Sequence, residues 1–198
     1  AKAAGIHMSD CRLLEESGRA HFMTRRFDRE VSGAGTVKYH LQTLCAMDHM
    51  DYKQRATHAY AQLFMVIAKL KLGDEANTQA FRRMVFNVMA KNCDDHSKNF
   101  AFRLKQGKTW ELAPAYDLTH AHNPKGEWTY QHLMSVNGKF SNITRADLLQ
   151  EADRFGVRRP LDLIADVKAA LDNWPRFAAE AGLGAKTVEV IAGEFERA

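Results

Sequence analysis

Between residues 55 and 72 apolar side chains recur at Tyr60, Leu63, Phe64, Ile67 and Leu70, the three-and-four spacing of a single helix face. Gly73 then reads as the stop of that helix. A second run with the same period, Phe81, Met84, Val85, Val88 and Met89, predicts a helix from about residue 75 to 91 whose Met-rich stripe is core. Two extended segments, 11–16 and 20–26, flank Ser17-Gly18-Arg19 and predict a β-hairpin. Residues 99–104 and 109–112 flank Lys105-Gln106-Gly107-Lys108 and predict another. Leu41 to Met47 reads as a short helix, Ala1 to Gly5 as the last turn of one, and Ser32-Gly33-Ala34-Gly35 as a connector.

Past Asp117 the pattern fades, so 119–143 is expected to be loop-rich. It returns after Thr144-Arg145-Ala146-Asp147, a capping box with Asp in place of Glu, which opens a helix through Phe155. Pro160 opens the next helix, with Leu161, Ile164, Val167, Ala170, Leu171 and Trp174 on its inner side and Pro175 ending or kinking it. Short helices to Glu180 and from 185 to 197 complete an α+β chain that is mainly α.

Composition adds exclusions. At 198 residues, 45% apolar and 26% charged, the chain has the makeup of a globular protein of one domain or slightly more. No apolar run is long enough to span a bilayer, and no signal-peptide pattern is visible. Cys11, Cys45 and Cys93 are odd in number and lack metal-ligand spacing, so they read as free thiols in a reducing, cytoplasmic setting. Nine histidines show no paired spacing on one face, which argues against zinc. The net charge of +4 suits ATP or an acidic partner, but its even spread argues against direct nucleic-acid contact.

The chemistry concentrates in Asn92-Cys93-Asp94-Asp95-His96-Ser97-Lys98-Asn99 and in Asp117. An Asp followed five positions later by Asn, and then by a second Asp beyond a hairpin, is the spacing that phosphoryl transfer from ATP requires. The first carboxylate orients the attacking hydroxyl, while the Asn and the later Asp hold magnesium against the phosphates. Asp94, Asn99 and Asp117 occupy those places, with Asp95 a rival for the base and Lys98 available to neutralise phosphoryl charge. The same residues also fit a solvated loop between a helix and a strand.

Val85-Phe86-Asn87-Val88, Asp94-Asp95-His96-Ser97-Lys98-Asn99 and Leu112-Ala113-Pro114-Ala115-Tyr116-Asp117-Leu118 together resemble the HipA family of serine/threonine kinases, the toxin halves of bacterial toxin–antitoxin modules. The resemblance implies a protein-kinase-like helical C-lobe over 29–198 and an N-lobe remnant over 1–28. It implies ATP and Mg2+ as cofactors, Asp94 as base with His96 and Lys98 in support, and Asn99 and Asp117 as metal ligands. Arg26, Phe27 and Asp28 match the hinge, where backbone meets adenine and the Asp meets ribose. The substrate implied is a protein such as an aminoacyl-tRNA synthetase, and the partner a HipB-like DNA-binding antitoxin. A Gly-rich loop and a strand lysine are absent from these 198 residues, so the chain is expected to be a truncated kinase, weak alone. A small-molecule phosphotransferase of the aminoglycoside or choline kinase kind, and an inert pseudokinase acting as an interaction module, are the alternatives.

Overall fold

The structure is a computed structural model that describes residues 1–33 and 35–196. Its centre is the pair α2 (Tyr60–Lys69) and α3 (Gly73–Met89). The apolar stripes predicted for both are buried, from Leu63, Phe64 and Ile67 to Phe81, Met84, Val85 and Val88. Gly73 does not close α2 but opens α3. The break is made by Lys71 at φ 55°, a left-handed end at which the Lys71 N–H donates to the Ala68 carbonyl (3.0 Å) and the Leu72 N–H to the Ile67 carbonyl (3.1 Å), followed by Gly73 at φ 79°. The α2 helix begins at Tyr60, the first apolar position of its pattern, and not nearer residue 55, because His58–Ala59 forms a short strand, β6, before it.

Along the chain, a 3-10 turn (Lys2–Ala4) ends at Gly5 in the left-handed conformation. Strands β1 (Cys11–Glu16) and β2 (Arg19–Thr24) pair antiparallel across Ser17-Gly18, whose φ values of 50° and 75° match the twist of a two-residue hairpin turn. The connector read at 32–35 joins two strands that the sequence did not announce, β3 (Arg29–Ser32) and β4 (Gly35–Lys38), paired antiparallel; Ala34, part of that reading, lies outside the described residues. One expectation fails next. The helix expected over 41–47 is half strand. Residues 40–43 form β5 (His40–Thr43) on the edge of a three-stranded sheet, and α1 keeps only Leu44–Met47. Pairing with a strand 60 residues away overrides local preference there.

That sheet has the order β5, β7 (Ala101–Leu104), β8 (Trp110–Leu112), all antiparallel. It carries the chain out of the Asp94 loop and back to Asp117. The 119–143 segment is irregular except for β9 (Met134–Ser135), which pairs parallel with β6 and so anchors the segment to the start of α2. Thr144 caps α4 (Arg145–Arg154) as the sequence predicts: its Oγ1 accepts from the Asp147 N–H, and its own N–H donates to Asp147 Oδ2 at 2.8 Å. Then α5 (Pro160–Asp172) packs Ile164 and Val167 into the core, although Leu161, expected inside, is 48% exposed. Pro175 lies in the first turn of α6 (Trp174–Glu180), where it needs no amide donor. The last helix, α7, runs Ala185–Glu194; Arg197 of its expected span lies outside the described residues.

Candidate active site

The loop leaving α3 is built on a buried polar network. Asn92 donates to Asn87 Oδ1 (2.9 Å), Asn87 donates to the Tyr60 hydroxyl (2.9 Å), and Tyr60 donates to Asp95 Oδ2 (2.8 Å). From the opposite side His132 Nδ1 donates to the same oxygen (3.0 Å), and the Leu133 N–H donates to Asp95 Oδ1 (2.7 Å). Every member is buried, and the Asp95 side chain has no exposed surface. Asp95 therefore holds the loop against α2 and the 132–133 segment, and its carboxylate cannot meet a substrate. Burial and the adjoining Asp95 push the Tyr60 hydroxyl well above its ordinary range, so it acts here as a donor.

Asp94 points the other way, with its side chain 41% exposed. Its backbone carbonyl accepts from Asn99 Nδ2 at 2.9 Å, closing the five-residue loop on itself. That bond fixes which way the Asn99 amide faces and leaves its Oδ1 without a protein donor among the described residues. Partial burial raises the Asp94 carboxyl above its ordinary value. The nearby His96 opposes this, and the charges of Asp117 and Asp95 add to it.

Tyr116 sets the position of Asp117. Its hydroxyl donates to the Lys98 carbonyl at 2.6 Å, joining the Tyr116-Asp117 element to the Asp94 loop. Asp117 itself has φ 55°, left-handed backbone that a non-glycine residue rarely adopts. The ring of Tyr116 also lies 5.6 Å from that of Phe27, which brings the hinge segment beside the same element. Within that segment Arg26 holds Asp28 through two hydrogen bonds (2.7 and 2.6 Å) and keeps its carboxyl below the usual range. Arg103 Nη1 donates to the Phe27 carbonyl at 2.6 Å.

Two supporting residues are placed less as expected. The His96 Nε2 lies 3.8 Å from Asp94 Oδ1, beyond a hydrogen bond, and its Nδ1 is buried without a partner among the described residues. The Lys98 ammonium sits 4.4 Å over the ring of Tyr52, whose edge also meets His96 at 5.8 Å. It pairs with no carboxylate among the described residues, so it is held by an aromatic face beside the loop. Tyr52, His132, Tyr60 and Asn87 are the residues that motif spacing missed. Asn87 alone left a trace in the sequence, as a polar residue inside an apolar helical stripe.

The donor set suits a hard, small cation. Asn99 Oδ1 and the Asp117 carboxylate are oxygen ligands, and magnesium is commonly held by one or two protein oxygens plus substrate phosphates. Among the described residues no cluster of three or more His, Cys, Asp or Glu could hold a metal by itself. Cys93, between Asn92 and Asp94, is buried, and its thiol is pushed up to about 12 by desolvation, so it is inert filler.

The Asp94 loop, closed by Asn99, is thus carried between a helical core and a small antiparallel sheet. Residues 1–195 match the HipA-like C-terminal domain, and the chain belongs to that family. Its fold is similar to that of HipA from Shewanella oneidensis MR-1, solved with HipB and its operator DNA. The two share 20% identity with a TM-score of 0.73 over 100% of this chain and 48% of that one. It is also similar to the Helicobacter pylori proinflammatory kinase CtkA, at 11% identity and TM-score 0.59 over 97% of this chain and 76% of that one. The chain thus spans about half the length of the HipA protein it matches. No helix among the described residues is long and apolar enough to cross a membrane.

Proposed function

We propose that this chain is the catalytic half of a HipA-like serine/threonine protein kinase that transfers the γ-phosphoryl group of ATP to a protein hydroxyl. The observation carrying the reading is the closure of the loop: Asn99 bonded to the Asp94 carbonyl, with Tyr116 tying Asp117 to Lys98. Asp94 orients the hydroxyl and accepts its proton. A carboxyl raised by burial and by the Asp117 charge is better matched to that task than a fully solvated one. Asn99 Oδ1 and the Asp117 carboxylate hold Mg2+, which when bound offsets charge on the phosphates. A bound dication would supply positive charge beside the Asp94 and Asp117 carboxylates. His96 lies beside Asp94 at 3.8 Å, and Lys98, held over Tyr52, would supply a cation to the phosphoryl oxygens. Arg26, Phe27 and Asp28 receive the nucleotide. The Arg26–Asp28 pair must open for Asp28 to reach a ribose, so it sets a threshold for binding.

Residues 1–28 would then belong to the nucleotide lobe and 29–198 to the helical lobe. A HipB-like antitoxin is the partner this reading favours, since the HipA of similar fold was solved bound to HipB. An aminoacyl-tRNA synthetase is the substrate class implied by the family resemblance. Transfer from γ-labelled ATP, measured on a panel of synthetases beside small hydroxyl substrates, tests the assignment. Asp94→Asn is expected to lower protein phosphorylation about 10²–10⁴-fold. Unchanged transfer in Asp94→Asn, or transfer to the small hydroxyls alone, overturns it.

A further inference from the structure

One turn before Asn87, α3 carries Arg83, a side chain only 2% exposed. It lines a cleft of about 310 Å³ walled on the far side by Arg103, Trp110 and Glu111. We propose that this cleft binds a compact oxyanion, phosphate or carboxylate, between the Arg83 guanidinium and the Trp110 indole N–H.

The guanidinium is under-satisfied. Nη2 donates to the Ala113 carbonyl at 2.8 Å, while Nε is buried with no partner among the described residues. No carboxylate pairs with Arg83 among those residues, although a buried cation without a counter-charge is strongly disfavoured. The two acids of the cleft are engaged elsewhere. Glu111 accepts from Arg103 Nε at 2.7 Å and lies 4.0 Å from Lys105, and Glu75 faces the His7 ring at 3.9 Å from an exposed position. Burial lowers Arg83 to about 10, which still leaves it charged at neutral pH. Trp110 lines the same cleft, and its indole N–H makes no hydrogen bond to protein among the described residues, which makes it the second donor of the proposed site. A planar guanidinium is matched to two oxygens of one anion, and an indole N–H supplies a neutral third contact.

Inorganic phosphate and acetate, each titrated into the protein at constant ionic strength, test this by the side-chain N–H resonances of Arg83 and Trp110. Saturable shifts confined to those two signals are expected, with Trp128 and Trp174 unmoved. Whichever anion saturates at lower concentration tells a tetrahedral from a planar ligand. Arg83→Lys should weaken the affinity roughly tenfold or more by removing the fork. Should that variant fail to fold, Trp110→Phe should still weaken the Arg83 response several-fold. Shifts absent, or linear and equal to those of chloride, overturn the proposal, as does unchanged affinity in Trp110→Phe.

Discussion

The Asp95 carboxylate accepts from Tyr60, His132 and the Leu133 N–H at once, without contact to solvent. Replacing it by Ala would orphan three buried donors. At roughly 1–3 kcal/mol for each such group, the expected loss of stability is about 3 kcal/mol or more in urea unfolding. A loss below about 1 kcal/mol, typical of a surface substitution, would remove Asp95 from the role given to it here. Asp94 next to it behaves oppositely. Its folded-state carboxyl is raised above the unfolded value, so the favourable contribution is fully present below the ordinary Asp value of about 3.9 and is lost as pH rises through the folded one. Ionised Asp94 therefore destabilises the fold at neutral pH. Asp94→Asn should raise the melting temperature at pH 7, and the gain should vanish near pH 3. A gain that is independent of pH would point to a packing change instead. The effect is modest because the carboxyl is partly solvated. Spacing alone ranked Asp94 over Asp95, but the reason, burial of one and exposure of the other, depends on Tyr60 and His132, 35 and 37 residues away.

At the scale of elements, legibility follows sequence distance. Helices α2 to α5 were readable because each carries its own period, and α4 and α5 also their start signals, the Thr144–Asp147 box and Pro160. Strands β5, β6 and β9 were not, since two to four residues hold no period and their partners lie 58 or more positions away. The end of the C-terminal helix reaches the segment that follows Asp117. Glu194 Oε2 accepts from His120 Nε2 (2.8 Å) and His122 Nδ1 (3.0 Å), and beside it Lys91 pairs with Glu196. Burial would push the Glu194 carboxyl up, but the bonds from His122 and His120 outweigh it and hold the group below its usual range. Its stabilising contribution is present above the ordinary Glu value of about 4.3 and lost as pH falls through the lower folded one. Glu194→Gln should cost about 0.5–1 kcal/mol at pH 7 and speed amide exchange in both 185–194 and 118–122. Faster exchange in the helix alone would show that the two segments are not coupled.

For the molecule as a whole, apolar surface is distributed unevenly. The helices leave single apolar side chains exposed, Met65, Leu161 and Val190, whereas the β1–β2 hairpin exposes four together, Leu13, Leu14, Phe22 and Met23, with Phe22 at 68%. Leu13 and Phe22 are direct cross-strand partners, and Leu14 and Met23 follow them on the other face. Both strands pair only with each other, so the hairpin also presents two unpaired edges. A two-stranded ribbon apolar on both faces is marginal in water and favours association with another surface. The 198-residue chain is accordingly expected to self-associate as its concentration rises, with the hairpin at the contact. Leu13→Lys with Phe22→Lys should shift sedimentation toward monomer while leaving the melting temperature nearly unchanged, because neither side chain belongs to the core. If the double variant melted several degrees lower, the hairpin would be part of the fold's cooperative unit. If it sedimented like the wild type, association, where present, would run through another surface.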